Sequence, residues 1–144
     1  MDIEKEINLL KYQNKLLRMM VNGHEFPFFI YALDNEFEEN QEKAIIHILT
    51  AFKYRLYHGT DVNYHTFHQL NKKDPALQSI LAPYNINTDD LYQNKAPSIE
   101  EFLHYLNCMF GANKLNPRHL LLNLKRQSIH TEICEDLLKQ LNRQ

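Results

Sequence analysis

Two histidine–cysteine pairs are the residues of this chain best suited to chemistry. His104 and Cys108 lie four apart, and so do His130 and Cys134. Side chains at i and i+4 share one face of a helix, so two such pairs carry the donors of a Cys₂His₂ zinc site. Helical-wheel placement separates them. His104 and Cys108 fall roughly 140–180° from the centre of their helix's apolar face, whereas His130 and Cys134 fall within the apolar face of the last helix. One pair points outward and the other inward, and the spacing matches no zinc-finger signature. Cys134 then reads as a small buried hydrophobe. Cys108 reads as an exposed thiol beside an imidazole, with no third orienting group and no oxyanion donor to make it a nucleophile.

A second cluster, His58, His65 and His68 with Asp61, can supply three imidazoles and a carboxylate to a metal. No H-E-x-x-H or comparable spacing supports it, and a solvated histidine-rich loop accounts for the same residues. His58 is well placed at the negative end of the preceding helix. The three glycines are scattered singly, which excludes a glycine-rich phosphate loop. The last helix presents Glu132, Glu135 and Asp136 outward, a sign that phosphate repels, so a nucleic-acid reader is disfavoured. No catalytic residue, cofactor or metal is therefore expected. The rival to that reading is a metal- or redox-responsive regulator using His58, His65, His68, Cys108 and Cys134.

Composition fits one domain over residues 1–144. Apolar residues make up 44% and charged residues 24%, ordinary for a globular protein. A chain of this length buries roughly 70% of its unfolded surface. The net charge of −2 offers no field to gather nucleic acid or anionic lipid. Protonating all eight histidines would carry it to +6, so the protein turns cationic below about pH 6. The longest apolar run is broken by Pro27, and Asp2, Glu4 and Glu6 have the wrong sign for a secretory signal. Two cysteines without an export signal read as free thiols, and the expectation is a soluble cytoplasmic protein with no membrane contact.

The elements that must position these residues read as helices throughout. The first spans about Asp2 to Asn22, stopped by Gly23; the second opens at Phe26-Pro27-Phe28. The third, about Glu39 to Tyr57, carries Ile45, Ile48, Leu49, Phe52 and Leu56 on one face and is followed by Gly59. From 58 to 96 the pattern loosens. Only short pieces are expected there, one of them capped by Asp74-Pro75 and running to Leu81. Ser98 and Glu101 form a capping box for the next helix, Asn116-Pro117 starts another, and Ser128 is placed to cap the last. The expectation is an all-α single domain of about six or seven helices, closed by a C-terminal helical hairpin.

This order of motifs resembles the YhaI-like family of small uncharacterised proteins from low-GC Gram-positive bacteria. The resemblance rests on the Ile3-to-Val21 helix, Phe26-Pro27-Phe28, the acidic start at Glu38-Glu39, and the terminal hairpin from Leu115 through Gln127, Ser128 and Glu132 to Leu138. It covers roughly residues 2–56 and 97–141. It implies an all-helical, self-associating protein and carries over no catalytic residue.

The first helix is the strongest pointer to function. Ile3, Ile7, Leu10, Leu17 and Val21, with Asn14 in the remaining slot, form one apolar stripe. Leu9, Leu16 and Met20 form a second, roughly 120° around the helix, where one stripe about 100° wide suffices to dock a helix on a core. With Ile7, Asn14 and Val21 at a and Ile3, Leu10 and Leu17 at d, the first stripe reads as a coiled-coil seam. Glu6 then faces Lys11 of a parallel partner. The expectation is a non-enzymatic homo-oligomer acting through protein–protein contacts, its own core taking one stripe and a second chain the other. An unknown protein partner is the other occupant considered.

Overall fold

In a computed structural model, which describes residues 2–21, 24–56 and 73–143, the chain is all-α. Eight α-helices stand among the described residues, one more than the sequence suggests, because the stretch before Pro97 contributes two.

Helix α1 (Ile3–Met20) begins where the Asp2 carboxylate accepts the Lys5 amide at 3.2 Å. Its proposed stop at Asn22-Gly23 lies outside the described residues. Helix α2 (Pro27–Asp34) starts on a proline, as read from the sequence, but Phe26 has no side chain to cap it. Gln127 does so from the far end of the chain, its Oε1 accepting the amides of Phe28 at 2.8 Å and Phe29 at 3.1 Å. Helix α3 (Glu39–Leu56) buries Ile45, Ile48, Leu49 and Phe52, the face the periodicity marks; Gly59 is not among the described residues.

Residues 73–96 hold short pieces, as expected, but they are not a loose excursion. Asp74 caps α4 (Pro75–Leu81) by accepting the Ala76 amide at 2.9 Å, a 3₁₀ turn follows at Ala82–Tyr84, and α5 spans Thr88–Leu91. Leu77, Leu81, Ile86, Leu91 and Tyr92 are all buried in the common core. Sequence periodicity misses this because segments of one turn or two show no repeat. Fully burying such side chains contributes about 1.5–3 kcal/mol each, which is what holds helices too short to stand alone.

Helix α6 (Ile99–Phe110) has half of the expected capping box. Ser98 Oγ accepts the Glu101 amide at 3.1 Å, but the Glu101 carboxylate turns away to Arg55. Gln140 Oε1 takes the Ile99 amide instead, at 2.8 Å. The helix ends at Gly111, whose φ of +95° is costly for any residue with a Cβ.

Helices α7 (Pro117–Arg126) and α8 (Thr131–Asn142) form the terminal hairpin. They run antiparallel: Arg118 at the start of one donates to Asn142 at the end of the other, and Lys125 pairs with Glu135 across the turn. Helix α8 packs on both α3 and α6, and α2 packs on α7, so the hairpin links the two ends of the fold.

Ser128 does not cap α8, contrary to the sequence reading. It sits at φ +61° and closes α7, its amide donating to Lys125 O and the Ile129 amide to Leu124 O. That is a Schellman turn with serine where glycine is preferred. The same motif closes α2 through Glu36 (φ +55°). The expected result for Ser128→Gly is stabilisation by about 0.5–1 kcal/mol, since only glycine takes this conformation freely. Urea titration checks it; an unchanged or lowered midpoint would contradict the assignment.

At the centre of the molecule Arg55 is completely buried. Its guanidinium makes a two-pronged pair with Glu101, both contacts 2.7 Å, and also donates to Leu91 O at 3.1 Å and Lys95 O at 2.8 Å. Phe52 lies under it at 5.1 Å, and the Tyr105 hydroxyl donates to Glu101 Oε2 at 2.8 Å. Burial first, then the Glu101 carboxylate, push the Tyr105 hydroxyl far above its ordinary pKa, so it remains a donor. These contacts join α3, α6 and the turn after α5.

Candidate functional site

The structure keeps the two histidine–cysteine pairs apart in character. His104 is exposed, with Nε2 3.7 Å from the sulfur of half-buried Cys108. Cys134 is fully buried against the Ile129 carbonyl, and burial pushes its thiol up to about 12, which makes it an inert core residue. His130 departs from the sequence reading. It is the residue before α8, held at φ +49°, rather than a member of the helix's apolar face.

The His130 ring is half buried, with Nε2 3.1 Å from Thr50 Oγ1. Thr50 spends its one proton on Ile46 O at 2.8 Å, so the ring N–H donates to the threonine oxygen. Burial and then Lys53 lower the His130 pKa; burial, and then Lys43 against the opposing pull of Asp74, lower that of His47. Below about pH 6.5 the unfolded chain takes up protons that these two folded sites refuse. Stability is therefore expected to fall as pH drops from there through the lowered folded values, and to level off below them. Urea midpoints between neutral and mildly acidic pH test this, with a flatter profile expected for His130→Gln. An acid-stabilised protein would contradict it.

Among the described residues no three of histidine, cysteine, aspartate and glutamate come together to hold a metal. His58, His65 and His68, with Asp61, lie outside the described residues. Open clefts are found among the described residues. One of about 640 Å³ between α2 and α7 is lined by His24, Tyr31, Asp34, Asn123 and Arg126. Its Asp34 carboxylate is engaged by Arg18 of α1, and its Tyr31 hydroxyl by Asn116 O at 3.3 Å.

Helix α1 is the departure from an ordinary globular surface. It has no buried residue at all. The expectation that the chain's own core takes one of its stripes is overturned. Ten large apolar side chains between Ile3 and Val21 are 39–75% exposed, including Ile3, Ile7, Leu10, Leu17 and Val21 of the proposed seam. The helix is instead tied to the body at its polar Arg18. Arg18 bonds Asp34, and Lys11, Asn14, Lys15, Arg18 and Met19 border a cleft with Glu36. The physical reason is in α2: it turns Phe28 inward and offers its acidic end, Asp34 and the Glu36 turn, to the neighbouring helix.

Sequence reading missed a second exposed apolar patch beside it. Phe26, Phe29 and Leu33 of the α2 region are 42–48% exposed, with Phe26 and Phe29 stacked at 6.1 Å and 10°. They continue into a groove of about 260 Å³ between α2 and α3, lined by Phe29, Ala32, Leu33 and Phe37 and rimmed by Glu38, Glu39 and Glu42. The spacing of 26, 29 and 33 was the available signal, since it marks one helical row opposite buried Phe28.

No family model, curated protein or solved structure matches this chain. The likeness to the YhaI-like family thus rests on the pattern of apolar positions and turns alone. No helix among the described residues is long and apolar enough to cross a membrane.

Proposed function

We propose that this protein is a non-enzymatic interaction module that assembles with copies of itself through α1. The observation that carries the reading is an 18-residue helix with no buried residue, its apolar side chains all exposed, tied to its own body where Arg18 bonds Asp34. A helix of that length is marginal in water without tertiary packing. Exposed apolar patches beyond a few hundred Å² mark interaction sites. Covering Ile3, Ile7, Leu10, Leu17 and Val21 with the same stripe of a second chain removes both problems at once.

Asn14 stands where this seam meets the Glu36 cleft of its own chain, and one polar residue at an a position sets register and favours two strands. Such a module works in the cytoplasm by bringing copies of the chain, and whatever each copy binds, together. Light scattering at several concentrations tests the reading. A mass above that of one chain, falling on dilution, is expected. A monomer at every concentration would overturn it.

A further inference from the structure

The seam leaves the opposite side of α1 bare. Leu9, Tyr12, Leu16 and Met19 form a row there, spaced three, four and three, with Lys5 one turn ahead of Leu9 and Lys15 at its flank. By helical geometry this row lies roughly 160° from the seam, so no single helix covers both. Its four apolar members are 39–75% exposed, and Met19 at its end also borders the Glu36 cleft of its own chain. Asp2, an acid near the row, is occupied in capping the Lys5 amide.

The groove between α2 and α3 has the complementary character. Its floor is Phe29, Leu33 and Phe37 and its rim is Glu38, Glu39 and Glu42, with Glu39 paired to Lys43 at 2.9 Å. Its volume of about 260 Å³ falls below the roughly 300–1,000 Å³ usual for small-molecule pockets, and it holds no convergent polar donors. It suits side-chain knobs from a helix. No residue of the chain's own α1 lines it.

We infer that this acid-rimmed groove receives α1 of a second copy, the Leu9–Tyr12–Leu16–Met19 row entering it with Lys5 and Lys15 against Glu38 and Glu42. The inference rests on the self-association proposed above and adds its second contact. Two arguments select a second copy over another partner. The signs match, basic flank against acidic rim. The area also calls for it: stable interfaces bury about 800 Å² per partner, and a single seam about 27 Å long is a narrow strip. A two-fold axis through the seam makes the exchange reciprocal, each groove taking the other chain's helix.

Charge exchange in the full chain tests it. Lys5→Glu with Lys15→Glu makes both the helix flank and the groove acidic; Glu38→Lys with Glu42→Lys makes both basic. Each variant alone is expected to self-associate on the order of tenfold more weakly than wild type in sedimentation velocity. An equimolar mixture is expected to recover association, because opposite signs then meet in both grooves. Recovery on mixing also shows that both variants fold. Lys15 borders the Glu36 cleft of its own chain as well, but loss of that contact predicts no recovery on mixing. If wild type associates and neither pair of changes matters, the groove contact is wrong while the seam stands. A mixture no tighter than its components overturns the contact too. A wild type that never associates removes the seam itself.

Discussion

Truncating either partner of the central ion pair, by Arg55→Ala or Glu101→Ala, is expected to cost about 3–5 kcal/mol. That is a large fraction of the 5–15 kcal/mol by which domains of this size are stable. Arg55 is entirely buried, and the Glu101 side chain is only 15% exposed. Removing one leaves the other as an uncompensated charge in a poorly solvating interior. Two further acceptors, Leu91 O and Lys95 O, lose their donor with Arg55, and Tyr105 loses its acceptor with Glu101. Replacing both, Arg55→Met with Glu101→Leu, should be less damaging than either alanine variant, because no charge is stranded. Urea unfolding followed by circular dichroism measures all three. A loss below about 1 kcal/mol for the single changes would show that the pair is not confined as described.

The second large effect is on assembly. Ile7→Glu with Leu17→Glu places two carboxylates per chain in the proposed seam. Burying an unpaired charge costs several kcal/mol, so the assembly should dissociate at working concentrations. The same changes should leave the rest of the fold intact, since α1 contributes nothing to the core. Glutamate is a good helix former, so helicity should fall little beyond what assembly itself supplied. Light scattering and thermal unfolding on one sample separate the outcomes. Global unfolding of the variant would mean that those residues pack within the chain. Undiminished association would mean that another surface holds the copies together.

Long periodic helices were legible in the sequence. The apolar faces of α3, α6, α7 and α8 follow directly from spacing, and Pro27, Asp74, Ser98 and Asn116 mark real starts. Interactions between distant segments were not. Gln127 and Gln140 each cap a helix remote in the chain, and a glutamine on a helix gives no sign of which amide it will meet. Arg55 did leave a trace: it stands seven after Ile48 and three after Phe52, a cation on an apolar row that demands a carboxylate. Its partner was hidden because Glu101 had an equally good local role in a capping box. Ser128 shows the same ambiguity, since its type fits the cap of the following helix while its backbone closes the preceding one.

The surplus apolar surface of α1 was visible in sequence, but the division of its faces was not. Periodicity shows how much of a helix is apolar. It does not show that α2 would offer an acidic end to the polar side and leave both greasy sides bare. The exposed row at Phe26, Phe29 and Leu33 was obscured for a related reason: the run from Phe26 to Leu33 is apolar throughout, and only Phe28 of it is fully buried.

Amide hydrogen exchange along residues 3–20 at high and low protein concentration would decide whether a second copy covers α1. Slow exchange in the concentrated sample that quickens on dilution, with the amides of α3 and α8 unaffected, is the expected result. Rapid exchange at both concentrations would mean that the helix stands uncovered, and equal protection at both in a sample that light scattering shows to be monomeric would mean that its own chain covers it. Either would contradict assembly through this helix.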